Sequence, residues 1–467
     1  MTPDQFREYG RQVIDWIADY YERLESLPVR SPVQPGDVRA ALPAAPPERG
    51  EPFAAVLRDL EEVILPGITH WQHPSFFAYF PANASGPAIL GDLIASGIGA
   101  QGMLWATSPA ATELETHVLD WLAELLGLPA AFRSNGPGGG VIQHTASDAA
   151  LVVVVAALHR ASNGRTATQG ASAGRFAVYT SNQTHSSVEK ACRVAGVGAA
   201  ALRLIDVDPA TQRARPDHLL QLIDADIATG IAPALVVASV GTTGVGAVDS
   251  VAELAPIARE HGAWVHVDAA WAGVAAVCPE FRSMNDGVEL ADSYSTNPHK
   301  WLLTNFDCTA LWIKNRTVLI DALSILPEYL RNEATASGAV IDYRDWHVPL
   351  GRRFRALKLW AVIRWYGAEG LREHIRAHVA LARQFESWVL ADERFELVAP
   401  RALSLVTFRL RAGDDETRAL MERVNTSGEL YLTHTVVNGQ VALRMAIGSP
   451  QTQGRHVEAA WAALSAS

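Results

Sequence analysis

Residues Ser295 to Phe306 read STNPHKWLLTNF. An apolar-rich run, Val288 to Tyr294, leads in, and a second, Thr309 to Ile313, follows. The pattern predicts a strand, a short turn carrying Lys300, and a second strand. An amine in such a turn, lined by Trp301, Leu302 and Leu303, has its pKa lowered toward the value needed to capture a carbonyl. The alternative is a solvated lysine at a hairpin tip. Composition separates the two. Lysine occurs only at Lys190, Lys300, Lys314 and Lys358, and arginine carries nearly all other positive charge. Lys190 and Lys358 fall in helical patterns and Lys314 ends an apolar run, so Lys300 alone stands in a turn between apolar runs.

Working outward, strand and helix patterns alternate from Phe176 to Ile313. Strands are predicted at Phe176–Thr180, Ala200–Ile205, Ala234–Val240, Ala263–Val267, Ser293–Thr296 and Thr309–Ile313. Apolar strands joined by helical crossovers imply an α/β fold with a mostly parallel sheet covered on both faces. Ligands of such sheets bind at the carboxyl ends of the strands. His185, Thr242, Thr243, Asp268 and Asn297 to Lys300 all fall there. Upstream, GPGGG at Gly136–Gly140 reads as a flexible turn without dinucleotide spacing. Thr145 with Asp148 fits a capping box for a helix running to Arg160. That helix start, with hydroxyls from Thr145 and Ser147, is either an anion site or an ordinary cap.

The motif NPHKW is joined by HVDAAWAG (His266–Gly273), THSSVEKA (Thr184–Ala191) and WATSPAATELE (Trp105–Glu115). DYR at Asp342 and PLGRRFRALKLW ending at Trp360 complete the set. In this order, across essentially the whole chain, they resemble the group II pyridoxal-phosphate decarboxylases, the aromatic-L-amino-acid decarboxylase family. The resemblance implies an aminotransferase-like fold of type I. Residues 1–84 would form a helical dimerisation segment, 85–349 the large cofactor domain with a flap at 324–345, and 350–467 a small α/β domain. It implies pyridoxal 5'-phosphate held on Lys300, with His185 against the ring face. Ala146, Ser147, Asn297 and His299 would serve the phosphate, and Thr243 and Ala270 would lie near the ring. Asp268, at the end of a strand, would keep the ring nitrogen protonated, because an opposite charge raises that nitrogen's pKa. Without Lys300, a metal or nucleotide ligand would be the lesser alternative for an acid there. Tyr329, the titratable aromatic in the middle of the flap, would return a proton to Cα. Relatives with phenylalanine at that position make aldehydes instead. Lys300, Tyr329, His185 and Asp268 are therefore the expected catalytic set, and no metal is expected.

Residues 3–26 carry an amphipathic stripe through Phe6, Val13, Ile14, Ile17, Tyr20, Tyr21 and Leu24. A proline-rich arm follows, and such a helix cannot bury its stripe within itself. The resemblance supplies a homodimer partner with active sites at the interface; packing on its own chain is the alternative. Trp71–Pro81, WQHPSFFAYFP, holds five aromatics without helical period. It reads as a pocket wall, and Trp71, Tyr79, Phe80 and Ala82 are expected to face an aromatic substrate together with His185. Met103 and Gly351 stand where family members vary with substrate. Glycine at 351 leaves room for a larger ring, so indole and phenol side chains are expected.

A net charge of -11 with interspersed signs argues against nucleic acid and against anionic membrane surfaces. The longest apolar run, Ala149–Leu158, is too short to span a bilayer. The N-terminal residues lack a basic start and an apolar signal core, which predicts a cytoplasmic protein. The cysteines, Cys192, Cys278 and Cys308, are too far apart for a zinc pattern or a disulfide framework. GTTGVG at Gly241–Gly246 superficially suits a nucleotide-binding ATPase. No lysine follows a glycine anywhere in the chain, so the phosphate-loop lysine is missing. An aldehyde synthase or aminotransferase, and a non-catalytic binder on the same scaffold, remain as further readings.

Overall fold

The computed structural model describes residues 1–325 and 340–466, and among these the chain builds two sheets. The first contains β1 (Gly139–Gln143), β2 (Phe176–Ser181), β3 (Leu202–Ile205), β4 (Ala232–Ser239), β5 (Trp264–Asp268), β6 (Ser293–Thr296) and β7 (Thr309–Ile313). Their order across the sheet is β1-β7-β6-β5-β4-β2-β3. Neighbours from β3 to β6 pair in parallel, and β7 runs antiparallel to both β6 and β1. The second sheet, order β10-β11-β9-β8, contains β8 (Phe395–Leu397), β9 (Leu405–Leu410), β10 (Thr433–Val437) and β11 (Gln440–Ala446).

The large sheet is buried on both faces, as parallel sheets must be. Along β4, Val236 and Ala238 join one core, while Leu235 and Val237 join the core on the opposite face. Helix Ala146–Ala161 covers the second face, and it buries Val152, Val153 and Val154. Consecutive valines are poor helix formers, so packing rather than propensity holds this helix. The helical run Ala356–Ala391, broken by non-helical backbone at Gly367, serves both halves of the molecule. Leu359, Val362 and Leu371 pack in the large core, and Ala382, Phe385 and Val389 pack against the second sheet.

Three sequence expectations change. GPGGG is only partly a turn, because Gly139 and Gly140 open β1 and pair with Ile313 and Trp312. The glycines are needed for close approach, not flexibility. A Cβ at Gly138 would come within 2.0 Å of the Ala131 carbonyl oxygen, and one at Gly140 within 2.8 Å of the Trp312 ring. The Lys300 turn is a single helical turn, Pro298–Trp301, with proline at its first position. The strand expected from Ala200 begins at Leu202, after one 3₁₀ turn. Of the expected flap, residues 326–339, including Tyr329, lie outside the described residues.

Candidate active site

The carboxyl ends of the parallel strands meet at one cavity of about 170 Å³. Its walls include Lys300, Asp268, His185, Phe80, Ser147 and Thr243. Ala146, Ala270, Asn297 and His299 complete what the sequence placed there. Ala146, His185, Asp268 and Asn297, spread over 151 positions of the chain, converge because each follows the end of its own strand or the strand-to-helix turn after it.

Asp268 closes β5, opposite Ser239 of β4 and Ser295 of β6. Side chains alternate along a strand, so Trp264, His266 and Asp268 share the face covered by helix Ala146–Ala161. His266 and Trp264 both meet Ser293 Oγ at 2.8 Å, which fixes that row beneath the carboxylate. Burial lowers the His266 pKa to about 4, so this imidazole stays neutral near neutral pH. The Ala270 amide donates to Asp268 Oδ1 at 3.1 Å, holding the carboxylate at the cavity wall.

Lys300 is held from both sides. Its amide donates to the Asn297 carbonyl at 3.0 Å, and the Asn297 amide donates to the Ala270 carbonyl at 2.9 Å. Burial pushes the Lys300 ammonium below its ordinary value; Asp268 opposes this and Arg444 adds to it. An amine eased toward neutrality is the form that captures an aldehyde. Its Nζ lies 5.4 Å over the Phe80 ring. Lys358 is more deeply buried, but it faces Asp92 at 3.7 Å from helix Ala356–Ala391 and lies outside this cavity.

Both histidines of the cavity have a lowered pKa and accept a backbone amide at Nδ1. His299 Nδ1 accepts from the Cys308 amide at 3.0 Å, and burial, with the Lys300 charge second, lowers its pKa to about 3. His185 Nδ1 accepts from the Ser187 amide at 3.2 Å. Although His185 is exposed at the cavity mouth, the protein around its ring and then Lys300 lower its pKa. In each ring an accepting Nδ1 leaves the proton on Nε2.

At the start of helix Ala146–Ala161, Asp148 Oδ2 accepts from the Thr145 amide at 3.1 Å and its hydroxyl at 3.0 Å. The cap thus draws on Thr145, and the first-turn amides at Ala146 and Ser147 stand at the cavity. An aldehyde-bearing, flat, phosphorylated pyridine needs an amine, a carboxylate, a flat partner and an anion site. Lys300, Asp268, His185 and this helix start supply that donor set in one cavity, so the residues fit pyridoxal phosphate.

The expected substrate residues divide. Phe80 enters the cavity, stacked at 4.4 Å on Trp271. Trp71 and Tyr79 stack on each other at 5.5 Å but remain 39% and 48% exposed. The Ala82 carbonyl accepts from Gln72. Gly351 lines a neighbouring crevice with Gln101, His144 and Arg352, where an added Cβ would meet only the Gln101 side chain, at 3.4 Å. Met103 is tied to the segment after the flap, its carbonyl accepting from the Arg344 amide at 3.0 Å.

Sequence reading missed three residues here. Phe306, 60% exposed, lines the cavity edge-on to His299 at 4.8 Å. Asn83 ties the Lys300 turn down: its amide donates to the His299 carbonyl at 2.9 Å and its Oδ1 accepts from the Leu303 amide at 3.0 Å. Its Nδ2 donates to the Gly448 carbonyl at 2.8 Å. Arg444 approaches from β11, with its guanidinium 4.9 Å over Phe80. A lone charge inside the apolar run VALRMAI was its signal.

Residues 35–411 match the model of the pyridoxal-dependent decarboxylase conserved domain. The phenylacetaldehyde synthase of Arabidopsis thaliana is 49% identical, over 99% of this chain and 95% of its own. Tyrosine decarboxylase 2 of Narcissus pseudonarcissus is 46% identical, over 99% and 93%. Among solved structures, Oryza sativa TDC with PLP and tryptamine superimposes with a TM-score of 0.96 at 46% identity, covering 99% of this chain and 97% of that one.

Proposed function

The chain belongs to the pyridoxal-dependent decarboxylase family, and on that premise we propose that it decarboxylates aromatic L-amino acids to the corresponding amine and carbon dioxide. Tryptophan or 5-hydroxytryptophan, tyrosine or dopa, and phenylalanine form the substrate class. The observation that carries the reading is the convergence of Lys300, Asp268, His185 and the Ala146–Ser147 helix start on a cavity walled by Phe80. Pyridoxal phosphate, when bound, supplies an electron-poor ring that takes up the electron pair of a bond broken at the substrate's Cα.

The chain's own residues do the rest. Lys300 would hold the group through its amine. Asp268 would keep a proton on the ring nitrogen through its opposite charge. His185 would serve the ring face, and Ala146, Ser147, Asn297 and His299 the phosphate, with Thr243 and Ala270 near the ring. Tyr329 delivers the proton to Cα after the carboxylate has left. Trp71, Tyr79, Phe80, Ala82, Met103 and Gly351 shape the space for the side chain.

Phenylacetaldehyde synthase among the relatives favours a second reading, oxidative release of an aldehyde. Tyrosine rather than phenylalanine at 329 supports the amine. The test is product analysis on purified, cofactor-supplied protein with L-tyrosine, L-tryptophan and L-phenylalanine. Amine with carbon dioxide and no peroxide is expected; aldehyde with ammonia defeats the proposal. Tyr329→Phe is expected to cut amine output by roughly 10²-fold or more, the order of one lost proton donor, and to move product toward aldehyde. Unchanged amine output would remove Tyr329 from its role.

The division into 1–84, 85–349 and 350–467 is proposed with this function, as is a homodimer. Helix Pro3–Arg23 buries none of its residues in the single chain, and Leu90, Leu93, Ile94 and Ile98 form an exposed apolar face on helix Gly86–Ile98. A monomer rarely leaves such a face open. A cytoplasmic setting fits the three cysteines, all free and buried. Among the described residues, no helix is long and apolar enough to cross a membrane.

A further inference from the structure

Resting on the cofactor reading above, we propose that Phe306 is a positioning residue for the phosphate of pyridoxal phosphate, its ring covering the His299 imidazole and keeping water from the hydrogen bond that His299 makes. Phe306 lines the Lys300 cavity, yet it is 60% exposed. It meets His299 edge-on, 4.8 Å between centroids and 61° from parallel. A large aromatic left in water at the rim of a polar cavity gains hydrophobic stabilisation only when a ligand or a partner covers it.

The exposure is built into the loop. Residues 299 and 308 close on each other: the His299 amide donates to the Cys308 carbonyl at 3.4 Å, and the Cys308 amide donates to His299 Nδ1 at 3.0 Å. Inside this loop both neighbours of Phe306 are pinned. Asn305 Nδ2 donates to Asp92 Oδ2 at 3.1 Å. Buried Arg355 grips Asp307 through Nε at 3.1 Å and Nη2 at 3.0 Å. Trp301, Leu302 and Leu303 of the same loop are sealed in the large core. With its flanks fixed, Phe306 is held out over His299 instead of joining them.

The cover acts through His299. Its Nδ1 is taken by the Cys308 amide, so Nε2 carries the proton and is the donor left for an anion. Burial, with the Lys300 charge second, keeps this imidazole neutral. It therefore offers a phosphate one uncharged donor, whose net worth in water is small. Excluding water lowers the local dielectric and strengthens that bond. Phe306 is the apolar group placed to do so, and its edge-on contact also fixes the plane of the imidazole. Lys300 and Asp268 would serve the aldehyde and the ring nitrogen, so the Phe306 contribution belongs to the phosphate alone.

Two aldehydes isolate it. The full chain, stripped of cofactor, is titrated with pyridoxal phosphate and with 5'-deoxypyridoxal, the same ring and aldehyde without the phosphate, and visible absorbance reports binding. Phe306→Ala is expected to weaken pyridoxal phosphate roughly three- to tenfold, the scale of one aromatic contact, and deoxypyridoxal less than about twofold. Phe306→Leu keeps apolar cover without the flat edge and is expected to fall between Ala and wild type. In a His299→Gln background, Phe306→Ala is expected to cost pyridoxal phosphate less than about twofold, because the ring acts through the imidazole. Equal weakening of both aldehydes would assign Phe306 to the cofactor ring or to folding and overturn the proposal. Unchanged affinity for both with a raised KM for L-tyrosine makes it a substrate wall, and a loss seen only as the protein turns monomeric in sedimentation velocity makes it a subunit contact; either overturns it as well. Should Phe306→Ala fail to fold, Phe306→Leu against wild type carries the same comparison, and an equal loss for both aldehydes again overturns it. Wild-type protein that binds the two aldehydes equally has no phosphate subsite, which overturns the cofactor reading of His299, Ala146 and Ser147, and this proposal falls with it.

Discussion

The two sides of the Lys300 cavity are built on different terms. On the sheet side each group is fixed by its own chain: Asp268 by the Ala270 amide, His299 by the Cys308 amide, Lys300 by Asn297 and the turn beneath it. On the aromatic side only Phe80 is sealed, between Trp271 and the two cations. Trp71 and Tyr79 stay open, and so does the apolar face of helix Gly86–Ile98. The sheet-side groups are all held by contacts within one chain, whereas the surface on the aromatic side has parts still to be covered. A second copy is the cover that the dimer proposal supplies.

Three experiments press on that contrast, and the largest effect belongs to the sheet side. Lys300→Ala removes the amine and keeps the backbone hydrogen bonds of its turn. It is expected to lower turnover by at least roughly 10³-fold, as losing a covalent nucleophile does, and to abolish the visible absorbance of dialysed, cofactor-supplied protein. Retained absorbance would move the covalent site elsewhere. On the open side, Ile94→Asp places a charge on the exposed face of helix Gly86–Ile98. Sedimentation velocity is expected to show monomer at micromolar protein, with activity falling in step because the site is then left uncovered. A monomeric variant with full activity would mean that one chain suffices for both sides.

The smallest effect is in pH. His266 and His299 titrate near 4 and 3 in the folded chain but near 6.5 when unfolded. Below pH 6.5 the unfolded state takes up protons that the folded state refuses, so stability falls as pH drops from 6.5 toward 4. Asp249, raised to about 6 by burial, opposes this, since its folded form takes up a proton first. For His266 the slope is about 1.4 kcal/mol per pH unit in that window. His266→Gln is expected to flatten the urea-unfolding free energy by that amount per unit between pH 6 and 5, without changing the products. An unaltered slope would mean that His266 is not held neutral beneath Asp268.

What was legible in the sequence follows the same contrast. Lys300, Asp268 and His185 were readable because each sits within a few residues of a strand end, where local pattern and site coincide. The helix from Ala146 was readable from Thr145 and Asp148 alone. The β1 glycines were misread because composition says flexible, whereas the Trp312 ring and the Ala131 carbonyl leave no room for a side chain, and neither neighbour is near in sequence. Arg444 was passed over for a related reason. Its meaning depends on Phe80 and Lys300, which only the fold brings to it. Local signals announce groups that act from their own element, and they are silent about groups that act across elements.

Asn83 carries a further consequence. One side-chain amide, with its own backbone, joins the His299 carbonyl, the Leu303 amide and the Gly448 carbonyl, so the lysine-bearing turn and the C-terminal strand region share a rivet. Heat or denaturant that loosens the residues after β11 must slacken the grip on Lys300 at the same moment. Vitamin loss and melting of the C-terminal sheet are therefore expected at one temperature, the visible band and the far-ultraviolet signal fading together.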